Sequence, residues 1–266
     1  MLTSVKQLKN YKLKSLNGEI GKVKDIYFDD DRFNVSYIVA DTGKWLSTRM
    51  VLISPYSIKG LDKFEEYISV DLTTNQIEES PPLESDKPLS RQYQEKLSSH
   101  FDYPLYWRGI QTASTGIGNI GFIPQHLMKE DAIKRSESIG DDELADPNLR
   151  SMNQVKGYHV QSIDDEIGHI EDFIIDSDNW RIRYLVVEIQ NLLPGKKVLI
   201  SPEWMKDIKW KDSIVALNLS SEDIKKSEEY DENLVIKREY EKRLHEHYKR
   251  ERYWSEISRK NNTEYL

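Results

Sequence analysis

The chain has 266 residues, carries 46 acidic and 38 basic side chains for a formal net charge of −8, and contains no cysteine. The lack of cysteine excludes disulfides, thiolate metal sites and cysteine nucleophiles. The acidic balance makes nucleic acid an unlikely partner, since duplex affinity depends on cations that neutralise phosphates. With no secretory signal and no run near the ~18 apolar residues of a membrane span, we expect a cytoplasmic protein with no membrane span.

The first hundred residues alternate apolar segments with turn residues. Asn17-Gly18 tolerates the positive φ angles of a hairpin turn, consecutive aspartates at 29–31 favour a turn, and Pro55 cannot donate to a strand ladder. The β-branched and aromatic segments between these signals predict strands. The predicted strands are 9–16, 21–28, 35–41, 49–54 and 67–72, with 45–46 as a short sixth.

Two helical segments follow these strands. Thr73 or Thr74 can cap a short turn that ends near Glu79. Ser90 can cap a helix that runs to about Phe101, with apolar side chains four residues apart on one face. Hairpin-linked strands followed by one docking helix predict a mainly β fold, a small closed barrel with a packed α-helix.

The same organisation occurs twice. Residues 2–107 align with residues 149–254 at a constant offset of 147, with 30 identical pairs in 106 positions, whereas chance pairing gives about 6. We therefore predict a first barrel with its helix over 1–107 and a second over 149–254. Residues 108–148 are expected to form a partly packed linker, and residues 255–266 a tail.

The repeated motif resembles the PRC-barrel family, the domain found in the H subunit of photosynthetic reaction centres. The segments that carry the resemblance are 18–25 (Gly-Glu-Ile-Gly-Lys-Val-Lys-Asp) with 37–39, and 165–172 (Asp-Glu-Ile-Gly-His-Ile-Glu-Asp) with 184–186. The whole chain is similar to two-domain bacterial PRC-barrel proteins, in which a segment like 197–202 (Lys-Val-Leu-Ile-Ser-Pro) recurs in each half. One departure is Asp165, which replaces the turn residue Gly18 in the second repeat. The resemblance implies tandem β-barrels and an assembly or adaptor role without catalysis.

Clustered carboxylates recur at the hairpin turns and offer one possible metal site. Such oxygens could hold a hard cation such as calcium, but the spacing lacks the glycine and terminal glutamate of a calcium loop. Turn chemistry alone selects aspartate, so we favour a structural role and assign no metal ligand. The aspartates are Asp25, Asp29 and Asp31, and their equivalents Asp172, Asp176 and Asp178.

Other catalytic or cofactor patterns are weak. Residues 116–121 match the text of a dinucleotide loop, but Pro124 follows closely and no strong strand precedes them. We interpret the histidines as structural and assign no catalytic, cofactor-binding or metal residue, and no cofactor. The histidines are His100, His126, His159, His169, His245 and His247.

The final helical segment raises an alternative. Residues 236–252 hold seven Lys or Arg against four Glu, with aromatic residues among them, a composition that can bind RNA.

Our main hypothesis is a non-enzymatic scaffold or adaptor for an unknown protein partner, with homodimerisation possible. The alternatives are a ribosome- or RNA-associated factor acting through 236–252, and a divalent-cation sensor using the acidic turns. The PRC-barrel resemblance extends to the C-terminal domain of a ribosome maturation factor, which docks on a ribosomal protein.

Overall fold

The computed structural model describes residues 1–9, 11–43, 49–81, 83, 89, 91–103, 148–190 and 195–254. The strand predicted at 45–46, the cap at Ser90, the glycine-rich segment 116–121, His126 and the tail 255–266 lie outside these residues, as does the linker apart from residue 148. The described part of the chain is mainly β, which confirms the predicted fold class.

The elements of the two repeats follow one another in the same order. The strands are β1 (Leu2–Ser4), β2 (Lys12–Lys14), β3 (Glu19–Asp29), β4 (Asn34–Asp41), β5 (Met50–Ile53), β6 (Ile58–Asp62), β7 (Tyr67–Val70), β8 (Leu149–Ser151), β9 (His159–Gln161), β10 (Glu166–Asp176), β11 (Arg181–Ile189), β12 (Lys197–Ile200), β13 (Met205–Lys209) and β14 (Ile214–Leu217). The helices are α1 (Val5–Leu8), α2 (Thr74–Glu78), α3 (Arg91–Phe101), α4 (Met152–Val155), α5 (Ser221–Lys226) and α6 (Arg238–His247).

The chain divides into two compact units. The N-terminal unit comprises the described residues of Val5–Gln154 together with the turn Asp176–Arg181. The C-terminal unit comprises Met1–Ser4, Val155–Ile175 and the described residues of Ile182–Leu266. Each unit is therefore built mainly from one repeat and includes short segments of the other.

The two units have the same strand order. In the N-terminal unit the order is β6-β7-β2-β3-β4-β5, and in the C-terminal unit it is β13-β14-β9-β10-β11-β12. The pairs β2–β7 and β9–β14 are parallel, whereas β3–β4, β4–β5, β9–β10 and β11–β12 are antiparallel. Alternate side chains of these strands fill the core, as in β3, where Ile20, Ile26 and Phe28 are buried.

The closed barrel is not confirmed. Among the described residues, β5 does not pair with β6, so the ladder of hydrogen bonds stays open at that point. The physical reason lies in the residues that join the two strands. Pro55 lacks an N–H and begins a 3-10 turn, Pro55–Ser57, which Ser54 caps by accepting from the Tyr56 N–H.

The first strand of each repeat pairs with the other repeat. Strand β1 pairs with β10 in the C-terminal unit, whereas the equivalent strand β8 pairs with β3 in the N-terminal unit. The register of the second pairing places Tyr27 opposite Ser151 and Asp29 opposite Leu149. The repeats therefore exchange their first strands reciprocally, and the chain passes from one unit to the other directly after each exchanged segment.

The motif glycine of each repeat is required by close backbone approach. At Gly168 a Cβ atom would lie 1.9 Å from the carbonyl oxygen of Glu188, and at Gly21 it would lie 2.0 Å from that of Asp41. Gly21 also has a φ of +149°, which side chains disfavour. Only glycine lets β3 approach β4, and β10 approach β11, this closely.

Several predicted capping and turn features are confirmed. Thr73 caps α2, and Gln76 completes a capping box by accepting from the Thr73 N–H. At the acidic turn, Asp29 accepts from the N–H groups of Asp31 and Arg32 at 3.0 and 2.8 Å. The docking helices α3 and α6 bury Leu97 and its equivalent Leu244.

Candidate functional site

The acidic side chains of the first repeat are used to hold the exchanged segment. Asp25, which is 8% exposed, accepts from the Ser151 hydroxyl at 2.5 Å and from the Asn153 N–H at 3.2 Å. These two donors lie in β8 and α4, within the N-terminal unit. Asp25 lies within β3 and not in a turn, as its place among the turn aspartates had suggested, and its carboxylate bonds the segment that begins with β8.

Asp30 makes a second connection to the same segment. Its carboxylate lies 2.8 Å from Nε of Arg150, and its N–H donates to the carbonyl of Asn148 at 2.8 Å. The side chain of Asp30 is only 7% exposed. Burial raises the pKa of Asp30 to about 7, although the Arg150 guanidinium acts in the opposite direction. Burial likewise raises the pKa of Asp29 to about 6, against the backbone N–H of Arg32 that lowers it.

A raised carboxyl pKa predicts a pH dependence of stability. The folded chain keeps a proton on Asp30 up to about pH 7, whereas the unfolded chain releases it near pH 4. The contribution of Asp30 to the free energy of unfolding is therefore present at low pH and is lost as pH rises towards 7. Asparagine at this position cannot ionise. We expect the free energy of unfolding of Asp30→Asn to improve relative to the natural chain by roughly 2 kcal/mol between pH 5 and pH 8.

Urea denaturation at the two pH values measures this difference. Asp31→Asn, which removes a charge from an exposed position of the same turn, controls for the loss of one turn carboxylate. A gap between the Asp30→Asn variant and the natural chain that stays constant with pH would contradict the assignment.

The second acidic turn is also organised by its own backbone. Asp176 accepts from the Asp178 N–H at 3.3 Å, and its carbonyl accepts from the Trp180 N–H at 2.7 Å. Trp180 has a φ of +55°, as does the equivalent Phe33 in the first repeat. Both turns therefore close in the same left-handed conformation, and a cation-sensing role for them remains a prediction.

Three of the seven basic residues in segment 236–252 pair with carboxylates in the structure. Arg243 forms two hydrogen bonds to the carboxylate of Glu228, at 2.8 and 2.7 Å. Arg238 pairs with Glu241 at 2.8 Å, and Arg252 pairs with Glu246. A guanidinium group that is paired with a carboxylate attracts a phosphate backbone less strongly than an unpaired one does. An RNA contact through this helix remains a prediction.

A buried polar cluster, here called the Tyr184 cluster, lies beneath α6. Its members are Tyr184, Glu241, His245 and Tyr253. The Tyr184 hydroxyl lies 2.9 Å from Oε1 of Glu241 and 3.1 Å from Nε2 of His245, and the Tyr253 hydroxyl donates to the same Glu241 oxygen at 2.8 Å. Tyr184, Glu241 and His245 are each at most 2% exposed. Burial, with the Glu241 carboxylate, raises the pKa of Tyr184.

The Tyr184 hydroxyl can donate to only one of its two hydrogen-bonding neighbours, Glu241 or His245. The Tyr184 hydroxyl has a single proton, and Nδ1 of His245 donates to the Glu251 carbonyl at 2.8 Å. When Tyr184 donates to Glu241, its oxygen accepts from Nε2, so His245 carries both protons and faces a carboxylate. Burial opposes this charged form by lowering the pKa of His245. The cluster therefore joins α6 to β11 and to Tyr253 through buried hydrogen bonds.

The first repeat contains an uncharged version of this cluster. There the Tyr37 hydroxyl donates to Oε1 of Gln94 at 3.3 Å, and Ser98 stands at the position equivalent to His245. The packing of the docking helix thus needs a polar contact to this tyrosine but not a charge. The acid and the histidine are specific to the second repeat.

The two histidines at the ends of the docking helices contact backbone carbonyls. Nε2 of His100 lies 2.8 Å from the carbonyl oxygen of Gln76, and Nε2 of His247 lies 2.7 Å from that of Asp223. These contacts are equivalent across the repeats. They tie each docking helix to the preceding short helix.

His169 is in a different environment. It lies with Glu171 and Glu188 so that one ligand atom from each falls within 4.8 Å of the others. Sequence reasoning missed this group because Glu188 is on the neighbouring strand, which the spacing of residues along one strand does not reveal.

Exposed apolar side chains occupy the same hairpin turn in both repeats. Leu16 is 56% exposed and its equivalent Ile163 is 66% exposed. Their N–H groups donate to the carbonyls of Leu72 and Leu219, at 2.8 and 3.0 Å. These hydrogen bonds fix the backbone that carries each exposed side chain. The aromatic ring of Phe64, at a different hairpin, is 92% exposed.

Comparison with known proteins places this architecture in a family. A model of the PRC-barrel domain matches the chain twice, over residues 7–77 and 147–223, which together make up more than half of it. A comparison with curated protein sequences gave no significant match. Within the described residues, no helix is both long and apolar enough to cross a membrane. Because the two matches coincide with the two copies of the strand order, the chain belongs to the PRC-barrel domain family.

Proposed function

We propose that the protein is a non-catalytic adaptor that binds another protein through the hairpin turns carrying Leu16 and Ile163. The observation that carries this proposal is the exposure of a branched apolar side chain at the same turn in both repeats. Turns ordinarily select polar residues and glycine. An apolar side chain there costs solubility and adds nothing to the core, so it fits a contact with a partner.

The backbone around these side chains supports a binding role. Ser162 accepts from the N–H groups of Asp164 and Asp165, at 3.4 and 2.9 Å, and Ser15 accepts from that of Asn17 at 3.4 Å. These contacts hold the turns in one conformation before any partner arrives. A pre-ordered apolar anchor loses little conformational entropy on binding. The family itself is non-catalytic, which agrees with an adaptor role.

Affinity capture tests the proposal. The natural chain is expected to recover a stoichiometric protein partner, and the double variant Leu16→Asp/Ile163→Asp is expected to lose it by at least tenfold, because each charge would be buried against the partner. Circular dichroism checks that the variant is folded. Phe64→Asp, which changes an even more exposed apolar side chain at an unrelated hairpin, is expected to keep the partner.

Two results would contradict the proposal. One is a double variant that retains the partner as well as the natural chain does. The other is clean turnover of a metabolite in an untargeted activity screen. Co-sedimentation with ribosomal subunits, lost on charge reversal of Lys242 and Lys249, would instead favour the RNA-associated alternative.

A further inference from the structure

One face of the C-terminal unit brings metal-binding side chains together on adjacent strands. His169 and Glu171 are two residues apart on β10, on either side of the fully buried Ile170. They therefore project away from the core on the same side of the sheet. Glu188 extends from the neighbouring strand β11, and one ligand atom from each of the three residues lies within 4.8 Å of the others.

The surrounding backbone leaves room for this arrangement. A Cβ atom at Gly195 would lie 2.2 Å from Oε1 of Glu188. The glycine therefore provides the space that the Glu188 carboxylate occupies. All three side chains are partly buried, so their positions are limited by neighbouring groups rather than free in solvent.

The first repeat lacks these ligands at the equivalent positions. Lys22 stands in place of His169, Lys24 in place of Glu171, and Asp41 in place of Glu188. Lys22 and Asp41 are cross-strand partners in the first repeat. That repeat thus presents two ammonium groups and one carboxylate, whereas the second presents an imidazole and two carboxylates. The fold does not require the histidine or the glutamates at this place.

We propose that His169, Glu171 and Glu188 form a site for a first-row divalent metal ion such as Zn²⁺. One imidazole nitrogen and two carboxylate oxygens are ligand types that such ions accept, and three protein ligands leave a further position for water. This group lies near the start of β10, whereas the acidic turn with Asp176 and Asp178 follows at its other end. The site is therefore distinct from the carboxylates considered from the sequence.

Two lysines lie near the carboxylates of the proposed site. Nζ of Lys156 lies 3.1 Å from Oε1 of Glu171, and that lysine is half exposed. Lys197, which is paired across the strands with Glu188, directs its Nζ to Glu232 at 3.1 Å. A metal ion must displace Lys156 from Glu171. Removing Lys156 is therefore expected to strengthen metal binding, whereas removing a ligand is expected to weaken it.

Calorimetric titration of the full chain with ZnCl₂ tests the proposal. The natural chain is expected to bind one equivalent, and His169→Ala is expected to weaken that binding by about 100-fold or more, since losing even a supporting group costs 10–100-fold. Lys156→Met is expected to strengthen binding by several-fold, because it removes a competing cation. Zn²⁺ should also raise the melting temperature of the natural chain more than that of His169→Ala.

His159→Ala is the matched control. His159 faces His169 across β9 and β10, but its Nδ1 is 2.9 Å from Oε1 of Glu166 and it is not one of the three ligands. This variant should bind Zn²⁺ like the natural chain. Equal binding by His169→Ala and the natural chain, an absence of binding by the natural chain, or a loss of binding in His159→Ala that matches the loss in His169→Ala would each overturn the proposed site.

Discussion

Gly168→Ala is expected to destabilise the protein by about 3 kcal/mol or more, because the new methyl group would meet backbone rather than a movable side chain. The nearest atom is the Glu188 carbonyl oxygen at 1.9 Å, followed by the Glu188 carbonyl carbon at 2.9 Å. Relief requires β10 and β11 to separate locally. The separation would break backbone hydrogen bonds between these segments, such as the one from the Gln190 N–H to the Ile167 carbonyl at 2.9 Å.

Equilibrium urea unfolding measures this cost. Gly60→Ala is the matched control, since its Cβ would meet only the Ser69 hydroxyl at 3.5 Å, an ordinary contact distance. That control should change stability by no more than about 1 kcal/mol. If both alanine variants unfold at the same urea concentration, the close approach is not the reason for glycine in the motif.

Proline in an exchanged strand is expected to loosen the unit built on the opposite repeat. Thr3 is the central residue of β1, and its equivalent Arg150 is the central residue of β8. Proline removes a ladder donor and is excluded from paired strands. Thr3→Pro should therefore accelerate amide exchange in β10 and its neighbours, and Arg150→Pro should do so in β3, each by about 100-fold for ~3 kcal/mol of local stability.

Hydrogen exchange followed by mass spectrometry locates the effect. The two variants serve as controls for each other, since each leaves the opposite exchanged strand intact. Faster exchange in β3 of Thr3→Pro, with β10 unaffected, would mean that each repeat keeps its own first strand. Arg150→Pro also removes the hydrogen bond from Nε of Arg150 to the Asp30 carboxyl group, so its local effect should be the larger.

The local architecture of each repeat could be predicted from the sequence. Turn residues such as Asn17-Gly18 and the aspartates at 29–31 mark real turns, and Thr73 caps a real helix. Strand β6 was missed because Lys59 and Gly60 interrupt its apolar pattern. The strand predicted over 9–16 is reduced to Lys12–Lys14, since Val5–Leu8 forms a helix whose end Lys9 continues by donating to the Val5 carbonyl.

The strand exchange could not be predicted from the same signals. Residues 2–4 and 149–151 both read Leu-x-Ser, so local pattern gives each strand two equally suitable partners. The contact that distinguishes them, Ser151 with Asp25, joins residues separated by 126 positions. The proposed metal ligands illustrate the same limit, because His169 and Glu188 come together only when strands pair.

Exchange of the first strands has a consequence for synthesis of the protein. Strand β1 is synthesised before its partner β10, which follows only after the rest of the first repeat and the residues behind it. The first repeat, in turn, waits for β8 to cover the end of β3. Because long-range pairing slows folding and leaves strand edges open in the meantime, a nascent chain that stalls between the repeats would expose an unpaired edge to chaperones or to neighbouring chains.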